Sequence, residues 1–130
     1  MLDHQHLIVR AEISNPPTDT SSVKLWLEEL IIGIGMNLAI GLEANPIAYY
    51  CTQLGNRGLT AAAILETSHS VVHFWDDINP GIMQFDLYSC SCVDIDQIFN
   101  FLTIFKPIKI EYKFLDRDSS LTVISSGVIV

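Results

Sequence analysis

The stretch from Gly58 to Cys90 constrains this chain more than any other, because it holds three strand-like runs separated by turn residues. Leu59 to Leu65 is small and apolar, as expected for a strand covered on both faces. His69 to Trp75 follows, and the two-residue period puts His69, Val71, His73 and Trp75 on one face. After the turn Asp76-Asp77-Ile78-Asn79-Pro80-Gly81, the run Ile82 to Cys90 returns with Gln84, Asp86, Tyr88 and Cys90 on one face and Met83, Phe85 and Leu87 on the other. A strand with such a polar face lines either solvent or a site. Ser68 stands at the end of the first run, where a tight turn can store strain that favours backbone chemistry.

The flanks supply the second layer. His6 to Ile13 reads as a strand ended by Asn15-Pro16-Pro17. Val23, Trp26, Leu27, Leu30, Ile31 and Ile34 repeat at helical spacing, with Ser21 or Ser22 as the cap and Gly35 as the stop. Asn37 to Thr52 suggests two strands joined by a hairpin-like turn at Glu43-Ala44-Asn45-Pro46. A second helix starts at Asp94, whose spacing to Gln97 matches a capping box; Ile95, Ile98, Phe99 and Leu102 form its stripe, and Pro107 closes it. Ile108 to Phe114 alternates as a strand, and Leu121 to Val130 reads as an added edge strand or an extension. The expected fold is α+β: one domain over residues 1–130, a two-layer α/β sandwich with two helices on one face of a mostly antiparallel sheet. A largely apolar second face would need a partner.

Charge and composition exclude some functions. A net charge of -8 on 130 residues argues against nucleic acid and suits a cationic small molecule. Nothing near Met1-Leu2-Asp3-His4 reads as a leader, and the apolar region Leu25 to Leu42 is broken by Glu28 and Glu29, so no membrane partner is expected. Three cysteines without framework spacing fit a reducing cytoplasm. His4, His6, His69, His73, Cys90 and Cys92 are of ligand type, but their spacing is not that of a zinc site, and no metal is expected. Lys24, Lys106, Lys109 and Lys113 sit on solvated faces, which argues against pyridoxal phosphate.

One constellation carries chemistry. Glu66-Thr67-Ser68-His69 is followed by His73, preceded by Gly58-Leu59-Thr60, and succeeded by Phe85-Asp86-Leu87-Tyr88-Ser89-Cys90. Together these resemble the small prokaryotic S-adenosylmethionine decarboxylases, which cut their own chain; the likeness is clearest from about Gly58 to Tyr112. Two positions depart from that family: Thr67 stands where an acidic residue precedes the serine, and Ser91 where a glycine follows the cysteine.

The resemblance implies that the Ser68 hydroxyl attacks the carbonyl of Thr67, that the chain is cut between Thr67 and Ser68, and that a pyruvoyl group derived from Ser68 is the cofactor. Thr60 would help polarise the carbonyl, His73 would serve processing, and Cys90 would return a proton during decarboxylation. Asp77 would hold the ribose of S-adenosylmethionine. Leu54 replaces the family's stacking aromatic, with Tyr49 and Tyr50 nearby, and Trp75 or Tyr88 could face the sulfonium. Two copies would pack sheet to sheet as a homodimer in the cytoplasm, supplying spermidine synthesis. Rival readings are a pyruvoyl decarboxylase of ornithine or arginine, or an uncleaved homologue that binds a nucleoside or regulates a partner. Fold likeness does not separate these.

Overall fold

Alternating burial along nearly every strand shows how the sequence becomes a sheet with one dry face. The structure, a computed structural model, describes residues 3–130; Met1 and Leu2, at the head of the segment read for a leader, lie outside it. The elements are β1 (Gln5–Ile13), α1 (Thr20–Gly33), β2 (Ile47–Cys51), β3 (Gly58–Leu65), β4 (Ser68–Trp75), β5 (Gly81–Ser89), α2 (Ile95–Leu102), β6 (Pro107–Asp116) and β7 (Thr122–Ile129). All seven strands form one antiparallel sheet in the order β2-β3-β4-β5-β1-β6-β7, so β1 joins the central meander to the carboxyl-terminal hairpin. The fold is α+β, as expected. Among the described residues no helix is long and apolar enough to cross a membrane.

Leu7, Val9 and Ala11 of β1, Val72 and Phe74 of β4, and Met83, Phe85 and Leu87 of β5 are buried in one core with Leu27, Leu30 and Ile31 of α1 and Ile98 and Leu102 of α2. Each of the larger side chains contributes about 1.5–3 kcal/mol by leaving water. Trp26 ties the layer together. Its ring stands edge-on to Phe105 at 4.9 Å and Phe85 at 6.2 Å, while its Nε1–H donates to the Phe101 carbonyl at 2.8 Å. At the start of β3 only glycine fits, because a Cβ on Gly58 would lie 1.7 Å from the Phe74 carbonyl oxygen.

Several local expectations are corrected. Asp19, not Ser21 or Ser22, caps α1, accepting from the Ser22 N–H at 3.3 Å. Asp94 does cap α2, but Gln97 donates to the Gly33 carbonyl at 2.7 Å instead of closing a capping box. Residues 37–52 give one strand, β2, plus an isolated bridge between Leu38 and Leu65. Beside that bridge the Asn45 side chain bonds both the N–H and the C=O of Ile64, and the same carbonyl accepts the Ala39 N–H at 2.9 Å. Leu121 to Val130 does become an edge strand, β7.

The opposite face of the sheet is uncovered within this chain. Thr60 and Ala62 of β3 are only partly buried and Ile64 is exposed, so β3 is dry on one side and not on both. That face is mixed: Ile47, Tyr49, Ala62, Ile64, Trp75 and Ile82 lie on it toward the β2 side by register. Ile8, Val71 and Val128 share it with Arg10, Glu12, Gln84, Asp86, Glu111 and Lys113, because only one side of the sheet faces the helices.

Candidate active site

The turn between β3 and β4 is two residues long, Glu66 and Thr67, with Leu65 paired to Ser68. Thr67 has φ 55, a left-handed conformation that a β-branched residue adopts only with strain on the order of 1–3 kcal/mol. The strained residue carries the carbonyl next to Ser68. Ser68 itself points to the covered side of β4 and is 8% exposed; its Oγ accepts the Cys90 N–H at 3.0 Å. Cys90 lies just past β5, where the Ser89 Oγ donates to the Ser91 carbonyl at 2.9 Å and accepts the Ser91 N–H at 3.0 Å, folding the chain back. Ser91 keeps a negative φ in this turn, so the position does not require glycine.

Two hydroxyls converge on the cysteine. The Thr67 Oγ1 lies 2.7 Å from the Glu66 carbonyl oxygen and 3.1 Å from the Cys90 Sγ. Hydrogen bonds from Thr67 and then Ser68 hold the Cys90 thiol below its ordinary range, against partial burial and the charge of Glu66.

A second group lies elsewhere. Thr60 and His73 are register partners on the uncovered face, where Thr60 Oγ1 and His73 Nδ1 share a hydrogen bond at 2.8 Å. At about 3.3 Å per residue, His73 is about 16 Å along β4 from Ser68. Asp77 lies beyond it, in the turn after Trp75, with its Oδ2 accepting the Arg57 N–H at 3.3 Å. Next to it the sequence missed a tight cluster: Asp76 accepts from Tyr50 OH at 2.6 Å and from Arg57 Nε at 2.6 Å. Burial opposes the charge of Asp76, but those two hydrogen bonds outweigh it and lower its pKa. Tyr50 is thereby committed to Asp76. Tyr49 remains 69% exposed and Leu54 92% exposed, so of the aromatic candidates near Leu54 only Tyr49 has a free ring.

His69, although adjacent to Ser68, points to the opposite face. Its Nε2 lies 3.8 Å from Asp86 Oδ1, and His6 Nε2 lies 3.5 Å from the same oxygen without hydrogen-bond geometry. Arg117 stacks over Tyr88 at 4.6 Å and donates to His6 Nδ1 at 3.1 Å. The polar face of β5 was legible; that β1 would place His6 beside it was not. A trough of about 680 Å³ runs along this uncovered face past His73, Gln84, Asp86, Arg10 and Glu111.

Of the residues singled out from sequence, Thr67, Ser68 and Cys90 therefore meet at one end of β4, and Thr60, His73 and Asp77 lie toward the other. The first group fits a pyruvoyl group made from the chain itself: a held serine hydroxyl, a strained preceding residue and an adjacent thiol. The model of the family described as S-adenosylmethionine decarboxylase matches residues 18–118. No curated protein matches the chain.

Proposed function

The chain belongs to the S-adenosylmethionine decarboxylase family, and from that premise we propose that it is a self-processing, pyruvoyl-dependent decarboxylase of S-adenosylmethionine that serves spermidine synthesis. The observation that carries this reading is the Ser68 hydroxyl held at 3.0 Å by the Cys90 N–H beside the left-handed Thr67. In processing, Ser68 Oγ bonds to the Thr67 carbonyl carbon as the Thr67-Ser68 C–N bond breaks, and the hydroxyl proton passes to the freed nitrogen. Loss of the Ser68 α-proton and of the Thr67 carboxylate leaves a dehydroalanine, which water converts to the pyruvoyl end with release of ammonia. Turning the Thr67 peptide out of its left-handed state favours the forward step.

Once formed, the pyruvoyl group supplies an electron sink for loss of carbon dioxide from a substrate amine. The chain's own side chains do the rest. Cys90 returns a proton to the decarboxylated carbon, and its lowered pKa makes it a stronger acid while leaving it protonated below that pKa. Asp77 holds the ribose hydroxyls, and the net charge of -8 suits a sulfonium cation. Because Thr60 and His73 lie about 16 Å along β4 from Ser68, one protomer holds two halves of a site. In a homodimer with uncovered faces together, the Thr60–His73 pair of one copy would lie against the Thr67–Ser68 turn at the end of β4 of the other.

Carbon dioxide release from S-adenosylmethionine, ornithine and arginine by purified, cleaved protein tests the substrate. Preference for ornithine or arginine would overturn the choice of S-adenosylmethionine, and a chain that never cuts would favour a nucleoside-binding or regulatory role. Cys90→Ala is expected to cleave but to lose about 10²–10⁴-fold in turnover, the usual contribution of a positioned proton donor; sustained normal turnover would remove Cys90 from the mechanism. Asp77→Ala is expected to raise KM for S-adenosylmethionine by roughly 10- to 100-fold with kcat nearly kept, since it removes charged hydrogen bonds made equally in ground and transition states.

A further inference from the structure

We propose that Thr67 is a positioning residue for Cys90, its hydroxyl holding the sulfur at the β3–β4 turn both as thiol and as thiolate. The inference rests on the reading of the Ser68–Cys90 cluster as the reaction site. Threonine is a poor choice for φ 55, where glycine or asparagine would sit with less strain. What threonine adds there is an oxygen 2.7 Å from the Glu66 carbonyl oxygen and 3.1 Å from Cys90 Sγ, with Cys90 Sγ itself 3.8 Å from that carbonyl.

A hydroxyl has one proton and two lone pairs, so it can serve either state of the sulfur. With a thiol, S–H donates to Thr67 Oγ1 while the Thr67 hydroxyl donates to the Glu66 carbonyl. After the proton leaves, the Thr67 hydroxyl turns and donates to the thiolate. An ionised carboxylate at this position could only accept, and would repel the thiolate. The charged group facing the sulfur is Glu66, which opposes the thiolate; the Ser68 hydroxyl favours it, but less than Thr67 does.

The test is the pH dependence of Cys90 alkylation by iodoacetamide, read by peptide mass with Cys92 as the internal reference. It is run in the Ser68→Ala chain, which cannot cut, so the result does not depend on processing. Thr67→Val keeps the β-branch and the same backbone strain but loses the hydroxyl. Each pK unit by which the thiol rises lowers the thiolate fraction about tenfold and raises intrinsic nucleophilicity about threefold, so Cys90 should react more slowly near neutral pH, by about threefold for each such unit. Its alkylation midpoint should move up, with Cys92 unchanged. Thr67→Ser should restore the profile of the Ser68→Ala chain. Thr67→Gly should raise the melting temperature by relieving φ strain and yet slow Cys90 as Thr67→Val does, a combination that a merely structural Thr67 would not produce. Cys90 profiles that stay the same in the valine and glycine variants would overturn the proposal.

Discussion

Ser68→Ala is expected to remain a single chain through any length of incubation, whereas the natural chain separates into residues 1–67 and 68–130, the second beginning with a pyruvoyl group. Alanine removes the attacking oxygen and nothing else of consequence to the fold. The β-carbon that fills the covered side of β4 stays, and the Cys90 N–H loses an acceptor at a cost of about 1 kcal/mol or somewhat more. No other hydroxyl replaces it: the Thr67 Oγ1 is engaged with Glu66 and Cys90, and it lies on the residue whose carbonyl must be attacked. The fragments stay together in native conditions because β3 and β4 pair from Thr60 with His73 through Leu65 with Ser68. Intact mass and a denaturing gel are therefore the measurements that resolve them. A natural chain that stays full length, indistinguishable from Ser68→Ala, would sink the self-processing reading and favour the uncleaved homologue.

Two dead proteins should make a live one. Ser68→Ala and His73→Ala are each expected to lack decarboxylase activity, but co-expression should restore about a quarter of the natural activity if each site takes Ser68 from one copy and the Thr60–His73 pair from the other. In a mixed dimer one site then carries both defects and the other carries none. Separately purified homodimers should stay inactive. The physical basis is the gap of about 16 Å along β4, far beyond hydrogen-bond reach, between Ser68 and the bonded pair. If each protomer supplied its own histidine through a rearrangement of the sheet, co-expression would restore nothing.

Much of this architecture was legible residue by residue. The two-residue period from His69 to Trp75 and from Ile82 to Ser89, the helical stripe of Val23, Leu27, Leu30 and Ile31, and the stop at Gly35 are local properties of the chain, and each element formed where its pattern lies. The Glu66-to-His69 motif also pointed to a particular serine. Where the reading failed, side-chain hydrogen bonds decided. Asp19, three residues before Ser22, took the cap, Gln97 reached Gly33 across the layer, and Asn45 bonded the backbone of Ile64 nineteen residues on.

The sequence by itself determined most element types, the α+β class, the serine and the cysteine as candidates, and the charge that a ligand would meet. Only the tertiary structure decided that β1 enters between β5 and β6, bringing His6 to Asp86. It alone decided that His69 turns away from Ser68, and that Thr60 and His73 form a pair remote from the serine they accompany in the motif. The reason is physical. Periodicity and turn chemistry act over a few residues, whereas strand order and register are set by which faces can be buried together across the whole sheet, and a motif's spacing along an extended strand is distance, not proximity.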